Sequence, residues 1–229
     1  MSTPASRPRS RRERPAKPAL TYEGIVAAAV RLMEAEGLQR VTMRRLAQEL
    51  DTGPASLYVY VANAAELHAA ILEHFLGAVD LSPVQEPGDW RERLRAVLDS
   101  YTRVLFSHPA LAHSALVARP SGPNYLALVE AVLTLLHEGG APDAQAAWGV
   151  DVLLLVATAT AAEQSARDSA LEAEQEHTAL VQALGAASPL AHPRVAALGD
   201  DLVSGAPEER LAWTFRTIIN GILDTPRES

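Results

Sequence analysis

The sequence predicts an all-α protein of about nine or ten helices: a small helix-turn-helix module near the N-terminus, then a larger helical domain. Three observations carry that prediction. Every long periodic segment repeats its apolar residues at helical spacing. No segment keeps the two-residue alternation of a half-buried strand. Capping residues, prolines and paired glycines fall at the breaks between the periodic segments.

Taken in order, residues 1–19 read as a disordered basic arm. Residues 1–18 hold Arg7, Arg9, Arg11, Arg12, Arg14 and Lys17 against Glu13, with four prolines and almost nothing apolar to bury. Such a segment suits phosphate contact or entry into a minor groove, and equally an idle solubilising tail. Residues 20–67 form the expected helix-turn-helix module. Thr21 caps a helix whose stripe is Ile25, Ala28, Ala29, Leu32 and Met33, with Leu20 and Ile25 at the positions of a hydrophobic staple. Gly37 stops it. Thr42 caps a second helix that buries Met43, Leu46, Ala47 and Leu50. Asp51-Thr52-Gly53 is turn chemistry, and Pro54 opens a brief third helix to Val61. Asn63, with Glu66 three residues on, makes a capping box for a fourth.

Residues 68–229 form the expected ligand-binding and dimerisation domain. Its predicted helices are 63–79 (shared with the first module), 89–108, 110–118, 123–138, 142 to about 167, 193–203 and 207–223. Residues 168–192 give no clear pattern: an acidic stretch, then Leu180 to Leu184, then Ser188-Pro189.

Composition narrows the function. With 48 % hydrophobic and 21 % charged residues, the chain reads as an ordinary globular protein. No cysteine is present, which excludes disulfides, zinc-thiolate sites and a cysteine nucleophile and suits a reducing cytoplasm. Seven histidines show no metal-ligand spacing; His108 and His113 stand five apart across Pro109. No nucleophile–base motif and no phosphate loop is visible, so an enzyme is not expected, nor is a cofactor. The most apolar run, 146–162, is short for a bilayer and holds Asp151, so no membrane partner is expected. The net charge of −8 is uneven. Residues 1–67 carry ten basic against seven acidic side chains, and the rest ten against twenty-one. An acidic body repels DNA while a basic end engages it. Arg supplies nineteen of the twenty basic residues, a usage that fits a GC-rich bacterial genome.

The residues of the module sharpen this. Thr42-Met-Arg-Arg-Leu46-Ala47, followed by Leu50, Thr52, Ser56-Leu57-Tyr58, Val61, Asn63 and Leu67, resembles the TetR family of bacterial repressors through about forty-five residues. Weaker similarity runs on through Trp90, Ser107-His108, Arg119-Pro120, Tyr125, Gly139, Phe215, Ile218, Ile219 and Gly221, which look like the regulatory domain of tetracycline repressors.

The resemblance implies a homodimer that binds operator DNA and releases it when a small molecule fills the C-terminal domain. It implies DNA contacts at Thr42 and Arg44, at Pro54, Ala55 and Ser56 in the major groove, and at Tyr58 and Tyr60 on the backbone. Arg44 would read guanine with both N7 and O6. Tyr58 is open to a second reading, as a packing aromatic. Three residues depart from the family: Asp51 where many members have Gly, Ala64 in place of a phosphate-binding Lys, and Tyr60 in place of a common His.

At the positions that grip drug and magnesium in tetracycline repressors, the chain has Val97, Ala115, Ala118 and Ala131, with Asp80 near the metal-binding His position. Only Tyr101 and Glu163 keep a similar character. Methyls cannot replace hydrogen-bonding groups for a polar ligand, so a more apolar effector is expected. Asp151 is a further candidate, either for a ligand or for a partner on a neighbouring helix. The helices around 145–165 and 207–223 are implied as the dimer bundle, the latter through the stripe Leu211, Phe215, Ile218, Ile219, Ile222, which intramolecular packing would explain as well. The competing reading is a helical adaptor with a vestigial DNA-binding module.

Overall fold

The computed structural model describes residues 19–116, 120–169 and 173–227, the side chains of 168, 169 and 173 excepted. The basic arm 1–18 and Ala118 therefore lie outside the described residues. Among the described residues there are eleven α-helices and no strand.

The first module is built by its caps. Helix α1 (Tyr22–Glu36) starts where the Thr21 hydroxyl accepts from the Gly24 N–H at 3.0 Å. It stops at Gly37, whose φ of 86° lies where a side chain would be strained. Helix α2 (Met43–Glu49) is capped by Thr42, which accepts from the Arg45 N–H at 3.2 Å. Asp51 then takes a φ of 48°, so the turn does demand a left-handed residue there. Helix α3 (Pro54–Leu57) is one turn long. Helix α4 (Ala64–Leu76) is capped by Asn63, but the returning Glu66 carboxylate accepts from the Ala62 N–H, one residue before the expected box partner. Ile25, Ala28, Ala29, Leu32, Leu46, Leu57, Val61, Leu67 and Ile71 form one closed core.

The larger body contains α5 (Trp90–Ser107), α6 (Pro109–Ala115), α7 (Pro123–Glu138), α8 (Asp143–Ser169), α9 (Ala173–Gly185), α10 (Pro193–Val203) and α11 (Pro207–Asp224). Helix α8 runs through its centre, packed on α5, α6, α7 and α11. By length and composition alone its segment Asp143–Arg167 could cross a bilayer. Here its inner face, Val150, Leu153, Leu154, Ala157 and Ala161, is buried among those helices. Arg93, almost fully buried on α5, pairs with Glu138 at the end of α7 and donates to the Val84 carbonyl at 3.2 Å, fastening the 3-10 turn Ser82–Gln85 to the body.

Helix α9 fills the stretch that the sequence left unread. It packs chiefly on α10, and neither has the burial of a core helix: Leu180, Val181, Leu198 and Leu202 are all exposed. The α11 stripe divides. Phe215 and Ile219 are buried in the body, whereas Leu211, Ile218 and Ile222 stand at its margin.

Helix α4 joins the two cores. Its first turns give Leu67 and Ile71 to the N-terminal core, and its last give Leu72 and Leu76 to the body. Phe75 on the same helix stacks on His108, at the α5–α6 junction, with ring centres 3.8 Å apart. Burial holds the His108 pKa below its usual value, and the charge of Glu34 opposes this only in part. A depressed folded-state pKa means that the unfolded chain binds the proton more readily. Stability is therefore full above the free-imidazole value of about 6.5 and declines as pH falls below it. The melting temperature should drop between pH 7.5 and 5.5, and drop less in His108→Phe. Parallel curves for the two proteins by circular dichroism would refute the assignment.

Candidate nucleic-acid interface and ligand cavity

Every residue of α3 is exposed except Leu57, the peg that seats the helix in the N-terminal core. Pro54, Ala55 and Ser56 therefore face outward, followed by exposed Tyr58, Val59 and Tyr60. Thr42 and Arg44 are exposed on the adjoining α2. The neighbouring Arg45 is engaged within the module: it donates to Glu36 at 2.5 Å and to Glu49 at 3.1 Å, and it holds the Glu36 carboxyl below its ordinary pKa. Arg44 is the guanidinium that α2 turns outward beside α3. The Tyr60 hydroxyl donates to the Leu20 carbonyl at 2.7 Å, tying the end of α3 to the start of α1, where the arm joins.

The described part of the module is not basic. Residues 20–67 have four arginines against six carboxylates, so the positive charge of this end is carried by residues 1–18.

In the body, a small cavity of about 60 Å3 opens between α4, α5, α6, α7 and α8. Its wall includes Leu72 and Leu76 of α4, Tyr101, Ala115, Tyr125 and Leu154. Its polar groups are few. The Thr158 hydroxyl donates to the Leu154 carbonyl at 2.7 Å and so has no hydrogen left for Tyr101. The Tyr101 hydroxyl, 2.7 Å from Thr158 Oγ1, is therefore the donor in that pair. Burial pushes the Tyr101 pKa upward. Asp151 lies on the cavity wall and is exposed, so the desolvation penalty suggested by its apolar sequence neighbours does not arise.

The structure gathers Tyr101, Ala115 and Asp151 of the expected ligand residues around this cavity. It places four of the others elsewhere. Val97 and Ala131 are buried in the core beside it. Glu163 is exposed and paired with Arg167 one turn on, at 2.5 Å. Asp80 closes a surface turn: its N–H donates to Ser100 Oγ at 2.8 Å, and the Ser82 hydroxyl, with the Ser82 N–H that donates to the carboxylate at 2.9 Å, holds that carboxyl below its ordinary pKa. Sequence reasoning missed Leu72, Leu76 and Leu154 as cavity residues. The apolar phase of α4 was the available signal for Leu72 and Leu76.

A separate groove runs along the outside of the α8–α11 pair. Trp148 and Val152 line it from α8, Ile218 and Ile222 from α11, and Leu155 extends the apolar face along α8. Trp148 is 58 % exposed and carries the Arg227 guanidinium over its ring at 4.2 Å.

Comparison with known proteins agrees with this division. Residues 25–71 match the family described as bacterial regulatory proteins, tetR family, and residues 82–225 match the tetracyclin repressor-like C-terminal domain. A Streptomyces transcription regulator of known structure, SCO7704, is 59 % identical with a TM-score of 0.79, over 93 % of this chain and 99 % of that one. The Streptomyces coelicolor TetR family protein ActR, solved in complex with actinorhodin, is 35 % identical with a TM-score of 0.79, over 92 % of this chain and 99 % of that one. The transcriptional repressor DrrR1 of Streptomyces coeruleorubidus is 35 % identical over 127 residues, 56 % of this chain and 47 % of that protein. The chain spans about half the length of the curated relatives it matches at 35–36 % identity.

The Tyr101–Thr158 bond gives a direct test of the cavity wall. Tyr101→Phe removes the donor and leaves Thr158 with an unused acceptor, which should lower unfolding stability by about 1 kcal/mol in urea titrations. An unchanged midpoint would mean the pair contributes nothing to the fold.

Proposed function

Because the chain belongs to the TetR family of bacterial transcriptional regulators, we propose that it is an effector-responsive repressor that binds operator DNA as a homodimer in the cytoplasm. One observation carries this reading: α4 belongs both to the core that holds α3 outward and to the wall of the cavity. Whatever changes the cavity changes the helix on which the recognition surface is mounted.

In this reading Arg44 reads a base edge, and Pro54, Ala55 and Ser56 meet the major groove through small and apolar contacts. Thr42, Tyr58 and Tyr60 position the module on the phosphate backbone. Tyr60 does so with its hydroxyl already bonded to Leu20, so its ring edge is the part that contacts DNA.

The effector is a largely apolar, aromatic molecule with a few hydroxyl groups. Leucines, two tyrosines and the Tyr101–Thr158 pair support that chemistry, with Asp151 accepting a hydroxyl at the rim. The complex of ActR with actinorhodin, in a relative that covers nearly the whole chain, supports it as well. A cavity of about 60 Å3 is far smaller than the several hundred Å3 that drug-sized ligands occupy. Binding must therefore widen the cavity, which favours a state with α4 displaced and draws molecules away from the DNA-competent one. A ligand with equal affinity for both states would release nothing.

Dimerisation follows from the geometry of the target, since two recognition helices must meet half-sites about one helical turn apart. The exposed face of Trp148, Val152, Leu155, Ile218 and Ile222 supports a pairing of α8 and α11 with their copies. The uncovered apolar side chains of α9 and α10 suit the same assembly.

Three measurements test the reading. In a gel shift on the DNA upstream of its own gene, Arg44→Ala should weaken specific binding by roughly 5- to 150-fold, the value of one bidentate base contact. Absence of any shift by the unaltered protein would favour the helical adaptor instead. Deleting residues 1–18 should weaken binding and flatten its dependence on salt, because up to six phosphate contacts are removed; equal slopes would discard the arm. Val152→Arg should yield a monomer in analytical ultracentrifugation and lose the shift together with the dimer, and an intact dimer would relocate the interface.

A further inference from the structure

Helix α7 begins without a cap of its own. Its N-cap is Gly122, which has no side chain to offer, and its first residue, Pro123, has no N–H. Helices α1, α2, α4 and α5 are capped by their own Thr21, Thr42, Asn63 and Asp89. For α7 the acceptor comes from a helix fifty residues away. One Glu73 carboxylate oxygen on α4 accepts from the Asn124 N–H at 2.6 Å, and the other from the Tyr125 N–H at 3.2 Å. The Asn124 side-chain amide returns a bond to the Glu73 carbonyl at 3.0 Å. A carboxylate at a helix N-terminus also meets the positive end of the helix dipole. The site is shaped for it: a Cβ on Gly122 would lie 2.4 Å from the Glu73 carboxyl carbon, so only glycine leaves room.

The two sides of this clasp have separate attachments. Tyr125, whose N–H it holds, lines the cavity. Glu73 sits between Leu72 and Leu76 of the cavity wall and follows Leu67 and Ile71 of the N-terminal core on the same helix. From this we infer that Glu73 is the positioning residue that couples the cavity to the DNA-binding module, by fixing the first turn of α7 to α4. The inference rests on the function proposed above. Its competitor is the contact of α4 with α6, through Phe75 on His108 and the 3.4 Å approach of His68 to Ser114.

Coupling between two sites is reciprocal, so it can be read from the DNA end without knowing the effector. The experiment is hydrogen exchange by mass spectrometry on the full-length protein, with and without a duplex of the DNA upstream of its own gene. In the unaltered protein the duplex should slow exchange over residues 123–128, by roughly 5- to 150-fold if the coupling is of ordinary size. That slowing should vanish in Glu73→Ala and equally in Gly122→Ala, which expels the carboxylate while leaving it in the chain. The double variant should be no worse than either single one. Glu73→Gln keeps one acceptor and should retain part of the effect.

Slowing that persists in Glu73→Ala overturns the inference, even where the melting temperature falls, because Glu73 is then a cap and nothing more. Additive effects of the two substitutions overturn it too. Unaltered protein that shifts the duplex with no slowing at 123–128 removes this inference alone; protein that shifts no DNA removes the proposed function and the inference together.

Discussion

The structure depends on the double burial of one helix. Thirteen residues long, α4 places Leu67 and Ile71 in one hydrophobic core and Leu72 and Leu76 in another. A helix shared in this way moves as a rod, because close-packed side chains on both ends resist local distortion. The module it supports is too small to adjust independently: α3 is a single turn seated by Leu57. Orientation of the exposed face therefore follows the orientation of α4, and α4 follows the body.

Polar interactions then decide how that helix is held. The N-terminal module closes itself with local caps and with the Glu36–Arg45–Glu49 cluster, all at or near the surface and each worth little alone. Among the described residues, the bonds from α4 to the body are fewer and lie at a half-buried junction. They comprise the Glu73 carboxylate on α7, the Phe75–His108 stack, and His68 beside Ser114 with its other ring nitrogen buried and without a hydrogen-bond partner. A junction with so few polar bonds, next to a small cavity, is where repacking between two arrangements is least opposed.

Much of the site was legible because its signals are local. Thr21, Thr42, Asn63 and Pro54 mark helix starts through bonds that span three or four residues, and those bonds form whatever surrounds them. The outward face of α3 was implied only by the resemblance to the family, and the structure exposes Pro54, Ala55 and Ser56 while burying Leu57. The φ of 48° at Asp51 agrees with the Gly that many family members have at that position. The cavity was less so. Carrying positions across by resemblance brought Tyr101 and Ala115 to it, and the apolar run around Asp151 pointed to that residue, yet Asp80 closes a turn and Glu163 pairs with Arg167 on the surface. A carboxylate's role depends on which neighbours reach it, and sequence spacing on a long helix does not fix them.

The sequence by itself determined all the helices but α9, most of their caps, and the separation of charge along the chain. Each of these rests on bonds within one turn or on composition. Tertiary structure alone decided that the α11 stripe splits between core and margin, that Asp151 is exposed within an apolar run, and that α9 forms against α10. It alone brought Glu73 to the bare end of α7. These outcomes require pairs of residues far apart in the chain to meet, and only packing, which minimises exposed apolar surface over the whole molecule at once, selects them.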